Sequence, residues 1–155
     1  MSYQIDIESN SQSAQIPALA ELERWISAAL NSQQFETAEV SVYIVDEDEG
    51  QELNAQYRGK NYPTNVLSFP ADIAEEVGIS LLGDLVVCAP VVEREAKEQG
   101  KALQAHWAHM LIHGTLHLVG FDHIEDDDAE IMEALETQIV TGLGYPAPYQ
   151  DISEE

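Results

Sequence analysis

The chain has 155 residues, 45% apolar and 23% charged, which is enough for one domain with a real hydrophobic core and too little for two. These proportions exclude a disordered chain, a collagen-like fibre and a disulfide-stapled miniature, and a single cysteine, Cys88, excludes an internal disulfide. Six Lys and Arg against 29 Asp and Glu leave a formal net charge of -23, so bulk electrostatics speak against a general nucleic-acid binder and leave room only for a small local site.

Met1 to Asn10 lacks a positive start followed by an apolar stretch, and no apolar run approaches the roughly 18 residues of a membrane span. A cytoplasmic location is expected. Tyr3, Ile5 and Ile7 alternate with Gln4, Asp6 and Glu8, a period of two that predicts a half-buried strand. After the polar loop Ser9–Gln15, Pro17 suits a first helical turn, and Leu19, Leu22, Ile26 and Leu30 form one helix face. Val40–Val45, rich in β-branched residues, predicts a second strand. The acidic run Asp46–Glu49 with Gly50 reads as a solvated turn, since it lacks the loop spacing of a calcium site.

Glu52–Tyr57 predicts a short helix ended by Gly59, before a loop over Lys60–Asn65. Val66–Phe69 and Leu82–Ala89 predict two further strands, separated by a loop containing Pro70 and Gly78. Pro90 opens a helix over Val91–Gln99 that Gly100 closes. Lys101–Val119 is the longest helical pattern, with Leu103, Trp107, Met110, Leu111 and Leu118 apolar and Gly120 just past its end. Asp126–Asp128 cap a last helix whose apolar face is Ile131, Leu135 and Ile139, ending near Gly142 and Gly144. Strands early, helices late and no linker predict one α+β domain over residues 1–155, a mixed sheet of about four strands packed with helices.

The chemistry lies at the end of the long helix, in His113-Gly-Thr-Leu-His117-Leu-Val-Gly120-Phe-Asp-His123. His113 and His117 are four apart, so on a helix they project from one face and can converge on one ion. Gly120 lets the chain leave the helix and turn, which brings His123 within reach as a third ligand. Three imidazoles around zinc leave a fourth tetrahedral position for water, the mark of a catalytic site. They also leave the full charge on the ion, which suits an anionic substrate such as a phosphodiester. An i,i+4 histidine pair alone is weak evidence; three of five histidines within eleven residues is stronger. The spacing matches the zinc-peptidase helix, but Gly114 stands where such enzymes carry the glutamate base. Gly114 either lets something approach the backbone or eases packing on a strand. His109 reads chiefly as a polar residue on the helix flank, with a supporting or alternative ligand role as the rival; His106 lies upstream on the same helix.

Five of the six cations, Arg58, Lys60, Arg94, Lys97 and Lys101, fall between residues 58 and 101. For Arg94, Lys97 and Lys101 ordinary solvation beside Glu93, Glu95 and Glu98 is the simpler reading. Arg58 is different: its fork geometry suits bidentate phosphate binding.

The histidine stretch, with Leu53-Asn54, Tyr57-Arg58, Thr64-Asn-Val-Leu-Ser-Phe-Pro70 and Leu82-Gly83-Asp84, resembles the YbeY family of bacterial single-strand endoribonucleases, through nearly the whole chain. Asn65 stands where that family more often has Asp. The resemblance implies a zincin-like site with one zinc per chain held by His113, His117 and His123. It implies His113 and Arg58 as catalytic residues, and Arg58 with Lys60 as substrate-binding ones. It further implies action on single-stranded ribosomal RNA in small-subunit (16S) 3′-end maturation and ribosome quality control. The expected partners are that RNA, the small ribosomal subunit and its assembly proteins, with no DNA and no membrane. Two other readings stay open: a metal-dependent peptidase or small-molecule hydrolase, and a ribosome assembly factor whose zinc is structural.

Overall fold

Alternation along each strand sorts the side chains onto the two faces of one mixed sheet. The computed structural model describes residues 2–60, 64–70, 81–119 and 126–148. Its strands are β1 (Ser2–Ser9), β2 (Thr37–Val45), β3 (Val66–Pro70) and β4 (Leu81–Cys88), in the spatial order β1-β2-β4-β3. β1 and β2 pair in parallel, as do β2 and β4, while β3 runs antiparallel to β4 and forms one edge among the described residues. Val40, Val42 and Ile44 of β2 and Leu85 and Val87 of β4 are buried in the main core. Helices α1 (Leu19–Ser32), α4 (Leu103–Leu118) and α5 (Asp126–Gly142) supply most of the rest of that core, including Trp25 and Trp107, both fully buried. The intervening β-residues, Val45, Leu67, Val86 and Cys88, form a smaller second core with Val91. Helix α2 (Glu47–Arg58) packs on this second side through Leu53, while α3 (Ala89–Glu98) serves both, with Val91 here and Ala89 and Val92 in the main core.

The element order matches the sequence expectation, and three details differ for physical reasons. The acidic run is no turn: Asp46 precedes α2 in extended conformation and Glu47, Asp48 and Glu49 occupy its first turn. There the unpaired N–H groups and the positive end of the helix dipole favour carboxylates. Leu19 and Ile131, both assigned to buried helix faces, are 60% and 53% exposed. In α5 the buried stripe is Met132, Glu136, Ile139 and Val140, so the face is rotated by one position and includes an acid. Among the described residues α5 has 17 residues against 16 in α4.

Gly114 is explained by packing. A Cβ there would lie 2.9 Å from Leu85 Cδ2 and 3.1 Å from Val66 Cγ2, so α4 can rest on β3 and β4 only without a side chain. Ser68 on β3 donates its hydroxyl hydrogen to the Gly114 carbonyl at 3.1 Å, fixing that contact. Among the described residues no helix is long and apolar enough to cross a membrane.

Candidate metal centre

α4 is buried over most of its circumference, so its four histidines must each find polar company inside the protein. His113 and His117 stand one turn apart at the helix's C-terminal end, partly open, with their Nε2 atoms 3.2 Å from each other. The other nitrogen of His113, Nδ1, lies 3.1 Å from Glu136 Oε2 on α5. A carboxylate only accepts hydrogen bonds, so His113 presents Nδ1–H to it and turns its Nε2 lone pair toward His117. Two nitrogens bound at about 2.0–2.1 Å to one tetrahedral zinc would be roughly 3.3–3.4 Å apart. The observed pair, at 3.2 Å, comes close to that spacing. The donors therefore fit a tetrahedral divalent ion, and Glu136 supplies the outer carboxylate that orients a metal-binding imidazole.

Sequence reasoning missed Glu136 and ranked a supporting role for His109 behind a place on the helix flank. Glu136 is 1% exposed and its second oxygen lies 2.5 Å from His109 Nε2. One buried carboxylate thus receives two imidazole N–H groups, and His109, expected on the helix flank, is 5% exposed against it. Burial pushes the His109 pKa below its ordinary 6.5, against the pull of the Glu136 hydrogen bond. The ligand atoms of His109, His113 and Glu136 all lie within 4.8 Å of one another, so this trio is itself a set that could hold an ion. A signal for Glu136 was present in the sequence. It falls in phase with Met132, Ile139 and Val140, where a stripe drawn from apolar residues alone cannot register it.

Arg58 ends α2, and Gly59 follows in the left-handed conformation at φ 70°. Its Nη2 donates to the Ser68 carbonyl at 2.8 Å, and its guanidinium carbon sits 5.8 Å from the centre of the Phe69 ring. Since the Ser68 hydroxyl bonds Gly114, strand β3 links Arg58 to the helix segment that carries His113. Lys60 is exposed, and its backbone N–H closes the end of α2 on the Asn54 carbonyl at 3.3 Å.

Arg94 and Lys101 are engaged by other groups, although Lys101 lines a cavity with His109 and its charge helps lower that histidine's pKa. Arg94 pairs with Glu47 at 3.2 Å across to α2, and Lys101 Nζ donates to the Pro148 carbonyl at 2.9 Å. Their glutamate neighbours on α3 are not simply solvating either: Glu93 accepts from Ser13, and Glu95 bonds His106 and Asn65. Burial pushes the Cys88 thiol up to about 11, which keeps it protonated at neutral pH. His123, Asp122 and Gly120 lie outside the described residues.

Two converging imidazoles on one helix, backed by a buried carboxylate on an α+β scaffold, form a donor set that could hold a metal ion. The family model described as Endoribonuclease YbeY matches residues 4–144. A Cellvibrio japonicus protein named Endoribonuclease YbeY is 67% identical over 151 residues, covering 97% of this chain and 85% of the relative. One of the same name from Pseudomonas entomophila is 56% identical over 149 residues, covering 96% and 94%. The solution structure of TM1509 from Thermotoga maritima superposes with a TM-score of 0.63 at 29% identity, covering 98% of this chain and 100% of the other. The chain belongs to the Endoribonuclease YbeY family, and that membership supports an endoribonuclease role.

Proposed function

We propose that the protein is a zinc-dependent, single-strand-specific endoribonuclease. In this reading it acts in the cytoplasm on small-subunit (16S) ribosomal RNA, in 3′-end maturation and ribosome quality control. The observation that carries the metal assignment is the 3.2 Å Nε2–Nε2 approach of His113 and His117, with His113 Nδ1 committed to Glu136. His113, His117 and His123 would hold the ion, one per chain. When bound, zinc supplies a Lewis acid for a phosphoryl oxygen and a water of lowered pKa.

The chain's own residues do the rest. Glu136 keeps His113 in the tautomer whose Nε2 lone pair points outward. Arg58 presents a planar fork of five N–H donors, one of them on Ser68, and neutralises charge developing on the phosphoryl oxygens. Lys60, exposed two residues on, adds a second cation for the RNA backbone. With a formal charge of -23, the protein needs these local cations to tolerate RNA at all, which favours substrates presented on the small ribosomal subunit by its assembly proteins.

The same charge favours one rival, an assembly factor whose zinc is only structural. The peptidase reading has no such support, because Gly114 offers no base and packs on β3. Zinc content and cleavage of a single-stranded RNA separate the first two, for the native chain, His113→Ala and His117→Ala. Zinc and cleavage vanishing together support the enzyme. Cleavage that persists unchanged after zinc is gone comes from a contaminant, and the assembly-factor reading then leads.

A further inference from the structure

The second face of the sheet carries a cavity that the metal chemistry leaves unused. It has a volume of about 410 Å³ and lies between the sheet and α2. Three aromatic rings, Tyr43, Tyr57 and Phe69, form its walls with aliphatic side chains between them, and two carboxylates, Glu49 and Asp84, also line it. Phe69 and Asp84 are cross-strand partners on β3 and β4, so they share this face. Tyr57 meets Phe69 edge to face at 5.2 Å between centroids and is 58% exposed. Arg58, beside Tyr57 in the chain, sits over the Phe69 ring at the rim.

This lining selects its ligand. A phosphate or carboxylate would face two like charges. A bare cation would suit the acids but has no use for aromatic walls or for so large a space. A flat ring with N–H donors on its edge satisfies both parts: rings stack on it, and carboxylates accept from it. Resting on the endoribonuclease reading, we infer that this cavity is a base-binding subsite for one nucleotide of the single-stranded RNA, taking a donor-edged base. Guanine fits best, because its adjacent N1–H and N2–H groups match the two oxygens of a carboxylate. Uracil fits worst, with one N–H between two carbonyl oxygens.

Edge strand β3 connects the subsite to the metal centre. Ser68 reaches Gly114 on α4, while its neighbour Phe69 lines the cavity on the opposite face. An RNA strand crossing this edge keeps its phosphates by Arg58 and slips one base past Phe69. The carboxylates then orient the strand twice over, accepting from the base and repelling the backbone.

The test uses the full-length, zinc-loaded protein with short single-stranded RNAs that differ at one base: guanine, inosine or uracil. The subsite predicts that the guanine RNA binds about tenfold or more tightly than the uracil RNA, with inosine, which lacks the N2 amino group, in between. Asp84→Asn and Glu49→Gln, each checked for an unchanged melting temperature, should shrink that difference to about twofold or less. Tyr57→Ala should weaken all three RNAs, by roughly fivefold or more, because stacking is indifferent to base identity. Equal affinity for the three RNAs in the native protein overturns the inference. So does a guanine preference that survives both carboxamide variants, and either result leaves this face to a protein partner. Failure of the zinc-loaded native protein to bind or cleave any RNA would instead sink the endoribonuclease reading.

Discussion

Helix α4 carries two buried networks of carboxylate and imidazole, and they end differently. Near its start, His106 Nε2 lies 3.0 Å from Glu95 Oε1, and Asn65 Nδ2 donates to the same carboxylate at 3.1 and 3.3 Å. Asn65 Oδ1 then accepts the Val66 N–H at 2.6 Å, so this network closes on the backbone of β3. It ties α3, α4 and β3 together and uses the amide of Asn65 as a donor, which an aspartate there could not provide. Further along, Glu136 gathers His109 and His113, and the outward nitrogen of His113 lies against the imidazole of His117. The His113 side chain keeps 18% of its surface exposed, against 2% for His106. A buried imidazole–carboxylate pair is therefore not in itself a site. What distinguishes the second is that its hydrogen bonds lead to two imidazole nitrogens 3.2 Å apart on a partly exposed stretch of the helix.

The comparison can be broken at several points. The largest effect is expected at Glu136: Glu136→Gln should weaken zinc binding by about 10–100-fold, whereas Glu95→Gln should leave it within about twofold. Competition with a chromophoric chelator reads both, and equal losses would erase the distinction between the networks. Next is Gly114→Ala, which drives a methyl group into Leu85 and Val66 at 2.9 and 3.1 Å. It should cost about 1–3 kcal/mol in urea unfolding, by pushing α4 off the sheet. A change smaller than 0.5 kcal/mol, on the order of a neutral surface substitution, would mean that the helix shifts freely.

The smallest effect is a two-stage acid response of the zinc-free protein. His109 in the folded state lies below 6.5, so its stabilising contribution is complete above pH 6.5 and is lost as the pH falls through its lower folded value. Burial acts to raise the Glu95 pKa, but the hydrogen bonds from His106 and Asn65 outweigh it and hold it below 4.5. Its contribution is therefore present above pH 4.5 and lost at lower pH still. Melting temperature followed from neutral to acid pH should lose the earlier decline in His109→Gln and the later one in Glu95→Gln. A profile identical in all three proteins would refute both assignments.

Much of this was legible in the chain itself, wherever a local rule decides the outcome. Helix periodicity alone aligns His113 with His117, turn chemistry alone ends α2 at Gly59, and strand alternation separates the two faces of β2. What escaped depends on partners distant in sequence. The inward turn of Glu136 is intelligible only when α4 lies beside α5, and the anchoring of Arg58 only when β3 passes under the end of α2. The acidic run was misread for a different reason. Carboxylates before a helix look like a solvated turn until the helix dipole behind them is recognised.

His113, and not the more deeply buried His106, belongs to the proposed metal centre. Zinc stoichiometry after gel filtration, for the native protein, His113→Ala and His106→Gln, tests it most directly. One zinc per chain is expected in the native protein and in His106→Gln, and none in a folded His113→Ala. Zinc retained by His113→Ala, or lost from a folded His106→Gln, would contradict it.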